Sequence, residues 1–454
     1  ILYRAERTRI RIMKTRLMKS IEEITFADSN DADIKRENAN IDGNTAMGTM
    51  LQYGSAVSKE FCMSQLMNPQ HAALHENGDI HIHDMDFMNM GTLTCCQIDL
   101  EKLFDGGFST GHGHLREPQD ITSYAALAAI AIQSNQNDQH GGQSIPAFDF
   151  YLAKGVAKTF RKEYISNLNK ALELFINLDA DVRDAFKAVE KESGKTAAMI
   201  MDDNFLNSLN IMLKETFGLG DEQIELINKF AYKEANVATR RKTYQAMEAF
   251  VHNLNTMHSR AGAQVPFSSI NFGTDMTPEG RLISENLMLA QEAGLGNGET
   301  PIFPILIFKV KEGINYNPQD PNYDLFKLAM RVSAKRLFPN FSFMDAPFNK
   351  QYYKEGHPET ETTYMGCRTR VMGNINGPEI ATGRGNNSFT SITLPRLGIK
   401  HGVAVNGDFN EAAFFNELDE KMEIVIQQLL ERLEIQGRKK VKNFPFLMGQ
   451  GVWI

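Results

Sequence analysis

Three short apolar runs, PFSSINF at 266–272, IFPILIF at 302–308 and SFTSITL at 388–394, are each bounded by turn residues and separated by helical stretches. Runs of that length and β-branched content read as buried strands. Between them, residues 158–178, 183–200 and 221–260 carry amphipathic helical patterns, and 121–134, ITSYAALAAIAIQS, is apolar on nearly every face and reads as a buried helix. Strands that alternate with helices build a mostly parallel α/β sheet or barrel. A helical pattern also runs to about Leu66, and a last helix spans about 409–436. Lys439–Ile454, ending FPFLMGQGVWI, reads as one more strand and loop.

The 454 residues allow a large core, and a formal charge of −8 argues against bulk binding of nucleic acid. No stretch approaches the roughly 18 to 20 apolar residues of a membrane helix, and no apolar signal region follows the basic start, so a soluble, cytoplasmic protein is expected. Four cysteines, Cys62, Cys95, Cys96 and Cys367, form neither a disulfide framework nor a CxxC zinc pair. The only charge bias lies in the first 20 residues, where Arg4, Arg7, Arg9, Arg11, Lys14, Arg16 and Lys19 suit an exposed helix.

Seven of the eleven histidines fall between His71 and His140. In GDIHIHDMDF, His81 and His83 share one face of a strand beside Asp84 and Asp86. That spacing suits two metal ligands, or a polar strand end that hydrogen-bonds a substrate or a neighbour. His71 and His75 lie one helical turn apart, a spacing that is incidental on a surface helix. In TLTCCQIDL, adjacent Cys95 and Cys96 face opposite sides of a strand, so only one can line a given cavity; both could equally be small core residues. Gly141 and Gly142 after His140 would let backbone amides approach an anion, although no phosphate-loop motif occurs. Tyr364–Gly398 is a glycine-rich excursion holding Cys367, Arg368, Arg370, Arg384, Asn386 and Asn387. A thiol between Gly366 and Arg368 fits reactive chemistry better than packing, because arginine lowers a thiol pKa.

These segments resemble the class III, oxygen-sensitive anaerobic ribonucleoside-triphosphate reductases, a glycyl-radical family. ENANIDGNTAMG, NGDIHIHDMDF, TCCQIDLEKLFDGGFSTGHG, QSNQNDQHGGQSIPAFD, YMGCRTRV and GRGNNSFTSITLPRLG follow the family's order across nearly the whole chain. The resemblance implies a ten-stranded α/β barrel, two five-stranded parallel halves packed antiparallel, with a finger loop near 364–387 through its centre. Cys367 matches the finger-loop cysteine that becomes a thiyl radical, and Cys95 the second active-site cysteine, with Cys96 turned away. Asn386 matches an asparagine associated with the ribose or with formate. A thiyl radical can take the ribose 3′ hydrogen reversibly, so the 2′ hydroxyl can leave as water inside a chamber closed to solvent.

The triphosphate neighbourhood is expected around His81, His83, His140, Gly141, Gly142 and Ser144, with Ser388 and Ser391 of the SFTSI strand. By position, Arg116 and Lys162 would face the phosphates of dNTP or ATP effectors. The resemblance further implies formate as reductant, a homodimer and a radical-SAM activating enzyme. Residues 1–20 resemble the exit from an N-terminal ATP-cone, which would leave 21–454 as the catalytic barrel. The family's R-V-x-G-Y radical motif and four-cysteine zinc site do not occur in this sequence. Arg370–Asn374 matches only R-V-x-G and belongs to the finger loop, so the chain alone is expected to be inactive. Two other readings compete: a metal-dependent barrel hydrolase built on His81 and His83, and a catalytically silent nucleotide-binding subunit.

Overall fold

A computed structural model describes residues 2–26, 45–257, 264–367, 369–374, 376–403 and 408–453. Helix α1 (Leu2–Phe26) is the expected basic helix, extended by one and a half turns, and Arg16 ties it to Glu60 and Glu76. Thr45 caps α2 (Ala46–Phe61) by accepting from the Gly48 amide, and α2 runs into a wider turn at Cys62–Leu66. After α3 (Pro69–Glu76) come β1 (Ile80–Ile82), β2 (Cys95–Gln97) and a small hairpin of β3 (Phe108–Ser109) and β4 (His114–Leu115).

The alternation read from the sequence then unfolds in order. Helix α4 (Ile121–Asn135) opens on an Asp120/Ser123 capping box and buries Tyr124, Ala125, Ala128, Ala131 and Ile132. Strand β5 (Gln143–Ile145) leads to α5 (Phe148–Ile176), α6 (Arg183–Ser193), α7 (Asp203–Phe217) and the long α8 (Asp221–Thr256). Next come β6 (Ser268–Phe272), α9 (Pro278–Ala293), β7 (Ile305–Val310), α10 (Tyr323–Arg336) and β8 (Asn340–Phe343). A hairpin of β9 (Thr363–Met365) and β10 (Thr369–Val371) follows, then β11 (Gly385–Asn386), β12 (Thr390–Ile392) and α11 (Glu411–Gly437).

Six strands form one sheet in the order β11-β2-β5-β6-β7-β8. From β2 to β8 every pairing is parallel, and β11 joins β2 antiparallel. The expected ten-stranded barrel is not seen among the described residues. Among the described residues the sheet is open, because β8 and β11 are its two edges and do not pair with each other. What is seen is one five-stranded parallel run plus a first strand of opposite direction, while β12 pairs with β1 in a separate ladder.

The two faces of the sheet differ in chemistry. On β6, Ile270 and Phe272 enter the apolar core shared with α4, α5, α8 and α9. The alternate residues Ser269 and Asn271 are equally buried but face the other way, as period-2 geometry requires. Register places Gln97, Ser144 and Ser269 in one row across β2, β5 and β6 on that second face. The β9–β10 hairpin covers it.

Two expectations fail here. Residues 439–453 form no strand; they turn around Val441–Asn443, and Phe444, Phe446, Leu447 and Val452 pack into the main core. The Asp138 carboxylate accepts from the amides of Phe446 and Leu447 at 2.7 and 2.9 Å, which removes donors a ladder would need. His71 is not an incidental surface residue, since it is buried with Nδ1 2.8 Å from a Glu431 carboxylate oxygen on α11.

Candidate active site

Adjacent cysteines on β2 point to opposite faces, and the structure separates them accordingly. Cys96 lies in the helix-side core, where Asn135 donates to its sulfur at 3.2 Å. Burial drives its thiol far above the ordinary range. Cys95 packs with Met365, Val371 and Ala381, so its neighbours are the hairpin and the segment after it. Across the antiparallel pairing Cys95 stands opposite Asn386, whose carbonyl accepts from the Thr94 amide at 2.9 Å.

Cys367 sits at the tip of the β9–β10 hairpin and is exposed. Gly366 before it takes a left-handed conformation with φ of 58°, which glycine adopts without strain. A side-chain carbon placed there would lie 3.8 Å from the Cys95 sulfur, so the hairpin tip passes directly over that thiol. Gly142 makes the approach feasible: an added carbon at that position would be 2.9 Å from the Gly366 backbone and 2.7 Å from the Phe267 ring. At Gly141 the same space is filled by the Thr94 carbonyl. On its Cα side the glycine pair therefore accommodates the Thr94 carbonyl, the Gly366 backbone and the Phe267 ring.

The remaining expected residues fall into three groups. His140 is wholly enclosed, with Nδ1 2.6 Å from Thr92 Oγ1, Nε2 3.2 Å from Thr94 Oγ1, and the Asp84 carboxylate 3.7 Å away. It ties together Thr92 and Thr94, which lead into β2. At the β1–β12 mouth, His81 and His83 lie edge to face at 4.4 Å; His83 Nε2 is 2.8 Å from Ser391 Oγ and its ring 4.0 Å from Phe389. His75 stands 5.3 Å from His81, its imidazole pushed below the ordinary histidine range by burial and then by the neighbouring His81. Ser388 is half-buried on the same segment.

Arg116 is exposed near β4, and Lys162 on α5 is ion-paired with Asp120 at 3.5 Å. No group of three His, Cys, Asp or Glu side chains among the described residues could hold a metal ion. A zinc site therefore does not fit the residues described. Of the arginines expected around the thiol, Arg368 lies outside the described residues, as do 27–44 with most of the ENANIDGNTAMG motif. Arg370 stacks over Phe348 at 4.8 Å, and Arg384 donates to the Met372 carbonyl.

Apart from Ser144, which was expected near a triphosphate, the residues that hold the hairpin were not singled out from the sequence. Asn271 accepts from the Tyr364 amide at 2.9 Å and donates to its carbonyl at 3.0 Å. Ser144 donates to the same carbonyl at 2.7 Å, Ser269 accepts from the Gly366 amide at 3.0 Å, and Gln97 donates to Thr363 Oγ1 at 2.7 Å. Below them Lys309 on β7 meets Glu361, just before β9, at 2.7 Å in a fully buried pair. The available signal is polar residues at every second position inside apolar strands, Ser269 and Asn271 in SSINF and Lys309 in ILIFKV.

Comparison with known proteins places this geometry. The profile of the family described as NRDD, anaerobic ribonucleoside-triphosphate reductase, matches residues 37–454. The anaerobic ribonucleoside-triphosphate reductase of Escherichia coli K12 is 28% identical over 455 residues, covering 99% of this chain and 54% of that protein. The phage T4 protein of that name is 27% identical over 425 residues, 93% of this chain and 60% of its own. The chain thus spans about half the length of the curated relatives it matches. Among solved structures, the anaerobic ribonucleotide reductase of Thermotoga maritima with glycerol in the active site aligns with a TM-score of 0.58 at 11% identity, covering 99% of this chain and 66% of that one. The same enzyme in complex with dATP and CTP gives 0.57 at 10% identity, covering 99% and 65%. Both share the fold.

Proposed function

The chain belongs to the anaerobic ribonucleoside-triphosphate reductase family, and from that premise we propose that it forms the catalytic chamber for radical reduction of ribonucleoside triphosphates to deoxyribonucleoside triphosphates. The observation that carries this reading is the passage of the Cys367 hairpin directly over Cys95, opposite Asn386. The five parallel strands from β2 to β8 would be one half of a ten-stranded barrel, with β11 opening the other half.

In the proposed reaction the family's glycyl radical, when present, would take the hydrogen atom of the Cys367 S–H bond and leave a thiyl. Cys367 then takes the ribose 3′ hydrogen, the 2′ hydroxyl leaves as water, and the hydrogen returns to C3′ from Cys367. Cys95, whose sulfur is screened from solvent by the hairpin, supplies reducing equivalents at C2′ together with formate, which is oxidised to carbon dioxide. Exclusion of water around Cys95 protects the carbon radical while it exists. Asn386 offers an amide at the Cys95 position to hold the ribose or formate. The β1–β12 mouth, with His81, His83, Ser388 and Ser391, is the proposed triphosphate entrance.

Arg116 and Lys162 are proposed to face effector phosphates, since both are exposed cations, Arg116 just after β4 and Lys162 on α5. Residues 1–20 are read as the exit from an ATP-cone, supported by the exposed basic face of α1. A homodimer and a radical-SAM activase belong to the same reading, set in a reducing cytoplasm. Among the described residues no helix is long and apolar enough to cross a membrane. The test is turnover of radical-loaded full-length protein. Cys367→Ala is expected to abolish deoxynucleotide formation and Cys95→Ala to reduce it at least 100-fold, on the order of a lost catalytic group. Retained turnover in Cys367→Ala would sink the reading.

A further inference from the structure

A two-stranded hairpin on its own is marginal in water, and β9–β10 has no strand on the outer edge of β9 among the described residues. That edge is nonetheless saturated. A primary amide carries a donor and an acceptor in fixed relation, as a peptide group does. Asn271 uses both on Tyr364, standing in for a neighbouring strand. Two bonds to one residue fix rotation as well as distance. Ser144 adds a third bond at the Tyr364 carbonyl. Ser269 takes the Gly366 amide, one residue from Cys367. All three side chains are fully buried, where a hydrogen bond is electrostatically stronger than in water. Register places Ser144 and Ser269 side by side on β5 and β6, with Asn271 two residues further along the same face.

We propose that Ser144, Ser269 and Asn271 are positioning residues that fix the height and tilt of the Cys367 hairpin over Cys95. This rests on the reading of Cys367 as the reacting thiol. The need for such a device follows from the chemistry, since hydrogen transfer demands near contact and a misplacement of about 1 Å can cost about 100-fold in rate. Around the tip, Gly366 lies against Phe267, Gly142 and the Cys95 sulfur, contacts that limit how closely the hairpin approaches the sheet. The polar row supplies the lateral reference.

The experiment uses full-length protein carrying Ser269→Ala, Ser269→Thr or Asn271→Ala, with Cys367→Ala alongside. Hydrogen exchange at Gly366 and Tyr364 should quicken about five- to tenfold in Ser269→Ala and Asn271→Ala, the effect of one lost hydrogen bond. Steady-state turnover should show kcat lowered about 10- to 100-fold with KM within about twofold. Ser269→Thr, which keeps the accepting hydroxyl, should recover most of both. If Asn271→Ala does not fold, the Ser269 pair decides. Unchanged exchange overturns the clamp. Quickened exchange with unchanged kcat, or a change confined to KM, overturns the positioning role. Loss of turnover in Cys367→Ala with normal kcat in the Ser269 and Asn271 variants leaves the functional reading standing and removes this one alone.

Discussion

At Gly142 a single added carbon would sit 2.7 Å from the Phe267 ring and 2.9 Å from the Gly366 backbone. Neither can retreat cheaply, because Phe267 packs on Phe303 and Gly366 is bonded to Ser269. Gly142→Ala is expected to cost about 1–3 kcal/mol, the usual effect of overpacking, read as a lowered midpoint in urea unfolding. The four thiols should separate as sharply. Cys367 is exposed, whereas Cys62, Cys95 and Cys96 are buried, and burial raises the thiols of Cys62 and Cys96. Iodoacetamide at mildly alkaline pH should label Cys367 first and leave Cys96 untouched until the protein unfolds, as peptide mass analysis would show. Asp149 behaves differently again. Burial, and then the charge of Asp275, pushes its carboxyl up to about 7. In the unfolded chain it titrates near about 3.9, so the folded state holds the extra proton between those values. Its contribution is then most favourable below about pH 4 and declines as pH rises toward 7. Asp149→Asn should flatten that decline in a series of urea melts across the window; an unaltered slope would refute the assignment.

The hairpin is anchored at its base as well as at its tip. Lys309 donates to both Glu361 and the Pro146 carbonyl, and Thr274 adds a bond to Glu361. Removing one partner of a buried ion pair strands the other charge, so Lys309→Met should cost about 3–5 kcal/mol. The double variant Lys309→Met with Glu361→Leu should recover most of that stability, and denaturant unfolding of the three proteins would tell. Much of this layer could be read from the sequence. The apolar runs at 266–272, 302–308 and 388–394 became β6, β7 and β12, and the Ala-rich segment became α4. Ser269 and Asn271 stayed hidden inside one such run and Lys309 just past another, because their partners Gly366, Tyr364 and Glu361 lie 52 to 97 residues away. The role of His71 was illegible for the same reason, with Glu431 at a separation of 360 residues.

At the scale of the molecule, an open sheet has one face sealed by helices and the other by a hairpin, and its rim by the segment after α11. That segment read as a strand because its residues are apolar. Asp138, whose own carboxyl is raised by burial, turned it into a plug by claiming two of its amides. Asp138→Ala should therefore destabilise the fold by about 1–3 kcal/mol through two unsatisfied buried donors, with a matching fall in thermal midpoint. Motif order put Cys95 and Asn386 in one expected site, and the structure pairs them across β2 and β11. The identity of what fills the Gly141 and Gly142 spaces was not legible, since it depends on Thr94 and Gly366 arriving from elsewhere in the chain. Asn271 and Ser269 touch only main-chain atoms of the hairpin, the amide and carbonyl of Tyr364 and the amide of Gly366. These bonds read the backbone and would form with any side chain at position 364, while the Tyr364 ring adds its own packing against the main core.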